Sequence, residues 1–548
     1  MKRKILKVLG ISFLFFVVLS WIIPTGTYYN GSLTTNDVDP IGIIDIFTQP
    51  VNAFVTFSLY GVVFAVIGGF YGVMEKTGAL DKVTDWLNIR FEKRTKLFLA
   101  ITVIFFAVLS SVTGLILPLF LLVPLFAAVL FKMNYDKVTV LASTVGALLV
   151  GSIASTYGFN ISGYTKNLLY LEDMNSEIWA KVILLVLLTA ALVMVVLFTG
   201  RKKKETVEMA AAAEAPVTLE PEVEKVQTKA SAKKEEKATV KETKKTTTKS
   251  AKKTESKTTA KTTKKTASKT TGSTRGRKPS KKTNTKGLAI AHDVKKVSEK
   301  KRVSGIPFVV ILVLTMIVAI LGMYNWYYAF GIDVFNNLYD NIMKVKIGDF
   351  PIFEHLFSGS SQFGYWSNVD FIALVIFASM LIAWLYKVKV NDYIEAFIGG
   401  VKKWLPTAIY AVLASVIFSV VYQALSSQTG TIVDTINAKI FELSDGFNVV
   451  FTGAASLIGS FFFNDLYYLL YDMSSFISGY DATTLPIAGL LVQSVYGVAM
   501  LIFPTSVVLI AGLSLFNVSY KQWMKYIWKF ALIAFLLVLL VCGILTLL

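Results

Sequence analysis

One cysteine in 548 residues leaves no partner for an intrachain disulfide and no thiolate cluster for a metal. That cysteine, Cys542, lies inside the last apolar run. Histidine is almost as scarce. His292 and His355 stand far apart without ligand spacing, so they read as ordinary loop residues. No Walker-type glycine motif is present, so nothing points to ATP as the energy source, to a cofactor or to enzymatic chemistry. Acidic residues are outnumbered, 36 against 55 Lys and Arg, for a formal net charge of +19.

Apolar sequence is abundant instead. Hydrophobic residues make up 54% of the chain and its mean hydropathy is +0.59. Several runs reach the length that crosses a bilayer, which implies a polytopic membrane protein. The start, Met1-Lys2-Arg3-Lys4 before an apolar run, has the outline of a signal peptide. No small-x-small cleavage site follows it, so a retained first helix is expected.

The positive charge is gathered in residues 201–305. This stretch opens Arg201-Lys202-Lys203-Lys204 and continues as Lys/Thr-rich sequence with almost no large apolar side chains. It cannot bury enough surface to offset its ordering entropy, so disorder is expected. It holds about 31 basic and about 12 acidic residues, which accounts for the whole net charge. Lys and Arg beside spans resist translocation, which puts the linker and the N-terminus in the cytoplasm. The chain thus divides into a membrane half, 1–200, the linker, 201–305, and a second membrane half, 306–548. By composition the linker is a soluble tether. Its Thr274-Arg275-Gly276-Arg277-Lys278-Pro279 also looks like the arginine–glycine hooks that enter the DNA minor groove, and anionic lipid is an equally open partner.

In order, helices are expected at about 5–23 and 53–74, followed by a basic amphipathic stretch carrying Leu80, Val83 and Leu87. Two short apolar arms, about 97–109 and 115–131, flank Ser110-Ser111-Val112-Thr113-Gly114 and read as a re-entrant hairpin. Residues about 138–173 read as a helix broken at Gly158–Gly163, and a helix at about 179–199 returns to the linker. Beyond it come helices at about 306–324, 370–386 and 404–425, then arms at about 446–461 and 466–478 joined around Phe463-Asn464-Asp465. A run at about 485–517 is interrupted by Pro504-Thr505-Ser506, and a last helix covers about 526–548, ending outside.

The halves correspond at an offset of roughly 350, a pattern of inverted repeats with discontinuous helices typical of secondary transporters. Thr77-Gly78 before Asp81 matches Thr429-Gly430 before Asp434, and each hairpin and each break has its counterpart. The expected fold is therefore an all-α polytopic membrane protein with about nine transmembrane helices, two re-entrant hairpins and two broken helices. Gly68-Gly69 is read as close helix packing.

Four stretches carry a resemblance: SWIIPTGTYYNG (20–31), IGGFYGVMEKTGALDKV (67–83), VPLFAAVLFKMNYD (123–136) and FPTSVVLIAGLSLFNVSYKQW (503–523). They look like the YfcC-like branch of the C4-dicarboxylate anaerobic carrier family, within the ion transporter superfamily. The resemblance covers both membrane halves but not the linker. It implies a homodimeric carrier with two re-entrant hairpins, an elevator-like transport domain, and anionic metabolites or amino acids as substrates. The chain departs from that pattern twice. Gly158-Phe159-Asn160 stands where Asn-Pro-Phe is usual, and Phe462-Phe463-Asn464-Asp465 replaces a Ser/Gly-rich tip.

Breaks expose unpaired backbone groups, whose N–H ends favour a carboxylate and whose carbonyl ends favour a cation. Small hydroxyl and amide side chains suit such a site. The candidates for substrate contact are Ser110, Ser111, Thr113, Gly158, Asn160, Ser162, Asn464, Pro504, Thr505 and Ser506. Ser and Thr at such places also satisfy backbone groups at kinks, so structural use stays open for each. Asp465, between apolar arms, is the candidate carrier of a coupling H+ or Na+, or the partner of a cationic substrate. Asp472 is a weaker candidate. The expected function is secondary active transport of an amino acid, or of a C4-dicarboxylate, across the plasma membrane. The competing reading is a non-transporting membrane anchor whose linker tethers nucleic acid, lipid or a protein.

Overall fold

In a computed structural model, residues 2–29, 31–200 and 304–548 are described. The linker expectations therefore fall outside the described residues, apart from Ser304 and Gly305. The two membrane halves belong to one compact unit.

The chain enters through helix α1, Lys2–Ser20, and turns into an antiparallel hairpin, β1 Gly26–Tyr29 and β2 Ser32–Thr35. This short ribbon is the one sheet among the described residues, and the architecture is otherwise helical, as expected of an all-α fold. Helix α2, Asp45–Thr77, is 33 residues long, starts earlier than expected and is kinked at Phe57, seven residues beyond Pro50. Gly78, at φ 71°, ends it in the left-handed conformation and releases α3, Ala79–Phe91. Helix α4, Thr95–Thr113, is closed by Gly114 at φ 68°. Together Ala79–Thr113 is long and apolar enough to cross a membrane. Ser110, Ser111 and Thr113 thus sit in the last helical turn, and the chain reverses at Gly114. The sequence puts them in a hairpin tip because periodicity cannot separate a polar final turn from the turn that follows it.

Apolar helices α5, Ile116–Lys132, and α6, Lys137–Ile153, follow. The expected break lies a little earlier in the chain, at Ala154–Gly158, and helical structure resumes as a π turn over Phe159–Gly163 leading into α7, Tyr164–Leu168. Helix α8 is Ile178–Thr199.

Beyond the linker come α9, Ile306–Met323, three short helices within 326–356, and α10, Asn368–Leu385. Ser367 and Asp370 form a capping box that fixes the start of α10. Helices α11, Val390–Leu413, and α12, Val416–Ser427, meet at a bend of 45°. The rest are α13, Ile432–Phe441; α14, Val449–Phe462; α15, Leu466–Ile477; α16, Thr484–Ile502; α17, Val507–Leu515; and α18, Tyr520–Leu545. Thr431, Asn448, Asp465, Ser506 and Ser519 cap α13, α14, α15, α17 and α18 with side-chain oxygens.

Among the described residues seven helices, or eight counting the bent pair, are long and apolar enough to span a membrane. The most extensive contact joins α2 to α11. It rests on missing side chains. A Cβ on Gly68 would lie 2.8 Å from the Gly400 carbonyl oxygen, one on Gly72 2.3 Å from that of Ala396, and one on Gly400 2.1 Å from that of Gly68. Gly69 abuts the Phe397 ring. In a bilayer, where water does not drive helices together, such close backbone approach supplies the dispersion that does.

Candidate functional site

Four chain reversals and breaks meet in space. Gly114 and Gly158 touch backbone to backbone, where a Cβ on Gly158 would lie 2.8 Å from the Gly114 Cα. Side chains stitch this meeting together. The Ser110 hydroxyl donates to the Leu148 carbonyl at 2.8 Å, and that of Ser111 to the Ala154 carbonyl at 2.6 Å. The Thr156 N–H returns to the Ser111 carbonyl at 3.0 Å. Thr113 donates to Leu109 and Ser162 to the Ser155 carbonyl. The hydroxyls of these four candidates are therefore engaged with backbone.

The other half is built alike. Asn464 donates to the Ser415 hydroxyl at 2.8 Å, tying the α14–α15 turn to the bend between α11 and α12. Tyr496 donates to the Asn464 carbonyl at 2.7 Å. Where α16 stops before the Phe503–Ser506 break, the buried Trp523 indole donates to the Leu501 carbonyl at 2.8 Å, and Tyr520 donates to that of Ile502. Trp523, the last residue of the 503–523 stretch, thus satisfies a carbonyl that the broken helix leaves behind.

Between the two halves lies a cavity of about 210 Å³. It gathers four candidates, Asn160, Asn464, Asp465 and Ser506, with Gly114 beside them. Its lining also includes the first residues of three helices: Ile116 and Leu117 of α5, Leu466 of α15, and Val507 and Val508 of α17. Helix starts carry unpaired N–H groups and a partial positive charge. No Lys or Arg is among the lining residues. Asp465 supplies the one carboxylate. It accepts from the Tyr467 N–H at 2.9 Å, and the Tyr60 hydroxyl reaches it from α2. The Asn464 amide oxygen is buried and finds no partner in the protein.

The remaining candidates lie elsewhere. Thr505 is buried with an unpartnered hydroxyl but does not line this cavity. Pro504 borders an apolar groove between α1 and α14. Gly158, Ser110, Ser111, Thr113 and Ser162 form the wall behind Gly114. Sequence reading missed Tyr60, Tyr164, Asn368 and Tyr496, all of which line the cavity. An aromatic inside an apolar run has no periodic signature of a site, and Asn368 reads as a helix start.

No family model, no curated protein and no solved structure matches this chain.

Proposed function

We propose that this multi-span helical membrane protein is a secondary transporter of small zwitterionic amino acids, with the Asp465 cavity as its substrate site. The observation that carries this is the pairing of opposite charges in one small space. Three helix starts favour a carboxylate, and 210 Å³ away from any Lys or Arg leaves Asp465 to meet an ammonium group. A C4-dicarboxylate would set a second anion against Asp465 and is the weaker fit. The volume lies below that of drug-sized pockets, roughly 300–1,000 Å³, and suits a small solute.

The finer architecture goes with this reading. The chain is an inverted repeat of about nine crossings with two re-entrant hairpins, working as an elevator in the manner of YfcC-like carriers, as a homodimer in the plasma membrane. Its N-terminus and linker are cytoplasmic and its C-terminus external. Support comes from the meeting of the four breaks and the Thr-Gly turns that precede both α3 and α13. Asp465 then serves the substrate ammonium or a coupling ion, H+ or Na+.

Uptake into proteoliposomes, screened over amino acids and dicarboxylates under imposed pH and sodium gradients, tests it. Saturable uptake of zwitterions, lost in Asp465→Asn, is expected. Preference for dicarboxylates would overturn the substrate class. No uptake of either by well-inserted protein would leave the membrane-anchor reading.

A further inference from the structure

A second polar cluster lies apart from the cavity, where α13 packs against α14, α15 and the β1–β2 hairpin. Its residues are Asp434 and Asn437, one turn apart on α13, and Asp472 on α15, all buried. The Asn437 amide nitrogen donates to Asp472 Oδ2 at 3.1 Å. Asp434 Oδ2 accepts from the Thr431 hydroxyl at 2.8 Å, and Asp434 lies close enough to Asp472 to repel it. Two oxygens remain without a donor: Asp472 Oδ1 and Asn437 Oδ1, the latter on a fully buried side chain.

The surroundings supply no countercharge. On α13 the other charged group is Lys439, exposed and paired with Glu442 at 2.8 Å. Helix α14 has no charged residue. Helix α15 adds Tyr467, Tyr468 and Tyr471, β1 adds Tyr28 and Tyr29, and Tyr480 follows α15. The neighbouring α7 carries Lys166, which is not among the groups acting on Asp472. Two carboxylates held so close in apolar surroundings cannot both carry charge without large cost. A metal ion is poorly served, since among the described residues no group of three or more His, Cys, Asp or Glu is placed to hold one.

We infer that Asp434 and Asp472, the latter held by Asn437, form a proton-binding acid pair fed from outside the cluster through Thr431. The route is on the surface of the fold. A separate cavity of about 300 Å³ is lined by Asp39, Asp45, Thr25, Gln49, Thr429 and Thr431. Its carboxylates concentrate protons, and Thr431 joins it to Asp434. The hairpin covers the pair from above. Gly26 and Thr431 exchange two backbone bonds at 3.0 and 2.8 Å, Thr435 donates to the Pro24 carbonyl at 2.8 Å, and Tyr28 stacks on Phe476 at 4.1 Å. A proton on Asp472 supplies the donor that the two orphaned oxygens lack. Burial also pushes the Asp434 carboxyl up to about 6, against hydrogen bonds from Thr431 and the Tyr28 backbone.

The inference stands whether or not the chain transports amino acids, because binding of the proton is read directly. The sign follows from linkage. Asp434 holds its proton more tightly when folded, so its contribution to stability is full below about pH 4 and lost as pH rises through about 6. The full-length protein in detergent should therefore show an apparent melting temperature that falls by several degrees between about pH 5 and about pH 8. Asp434→Asn with Asp472→Asn should remove most of that dependence, and Asp465→Asn should leave the greater part of it. A dependence that follows Asp465, or survives the double variant, overturns the assignment. So does a stabilisation specific to sodium chloride over choline chloride that the double variant loses, since the pair would then hold a metal ion. If the double variant does not fold, infrared difference spectra of the unaltered protein decide. A protonated-carboxyl C=O band, slow to shift in D2O and weakened in either single variant, supports the pair, and its absence refutes it.

Discussion

Gly399 and Gly400 are neighbours on α11, and one methyl at each should move stability in opposite directions. A Cβ at Gly400 would sit 2.1 Å from the Gly68 carbonyl oxygen and 3.0 Å from the Gly69 Cα. The first contact is roughly 1 Å too close, and both neighbours are backbone, so only a parting of the two helices relieves it. Overpacking of this kind costs about 1–3 kcal/mol, and the close approach at Gly61 and Gly72 on the same interface is disturbed with it. At Gly399 nothing lies within 4 Å. There an added methyl only raises helix propensity, by about 0.8–1.0 kcal/mol. Both variants gain that propensity, so Gly400→Ala and Gly399→Ala should differ by the overpacking cost, about 1–3 kcal/mol. The chain carries its own reporter. Cys542 is its single cysteine and is fully buried, so a thiol-reactive fluorophore reports unfolding on heating in detergent. Gly400→Ala should melt below the parent and Gly399→Ala at or above it. If Gly400→Ala melts with the parent, α2 and α11 do not approach as described, and the glycine argument is refuted.

Trp523→Phe removes the indole N–H and part of a buried ring, leaves the Leu501 carbonyl unpaired, and should cost at least about 1–3 kcal/mol by the same melting assay. An unchanged melt would mean that water replaces the indole. Deleting about residues 210–290 should leave membrane insertion and uptake intact, because that sequence lacks the large apolar side chains from which packing is built; loss of uptake at normal abundance would give the linker a binding role. Cysteines placed at Ser250 and after Leu548, in intact cells, should label from opposite faces. Labelling from one face would end the inverted-repeat assignment.

Breaks were legible because glycine, asparagine and proline cannot hide in an apolar run. Gly114, Asn464 and Pro504 mark turns on their own, and the structure adds only where they meet. Boundaries were less so. Ser110 and Ser111 look like a loop in sequence, yet a helical turn tolerates them when their hydroxyls reach carbonyls on α6 and just beyond it, at Leu148 and Ala154. The β1–β2 hairpin had a sequence signal that went unread. Asn30-Gly31 lies between Thr/Tyr-rich runs, a common hairpin turn pair. Tyr60 and Asn368 could not be found from order along the chain. Their place in the cavity depends on how α2 and α10 rest against elements hundreds of residues away.

The carbonyl caps at the breaks make the cavity electrically one-sided. At the first break Ser111 and Ser162 cover the carbonyls of Ala154 and Ser155, and at the second Trp523 and Tyr520 cover those of Leu501 and Ile502. These four carbonyls are thus paired within the protein, while three helix starts, two of them capped by Asp465 and Ser506, line the cavity. An anion is drawn by the backbone, but a cation finds no free carbonyl among those four and must be met by a side chain. On the proposed reading, a positive charge in this cavity is met by Asp465 and by the unpartnered amide oxygen of Asn464.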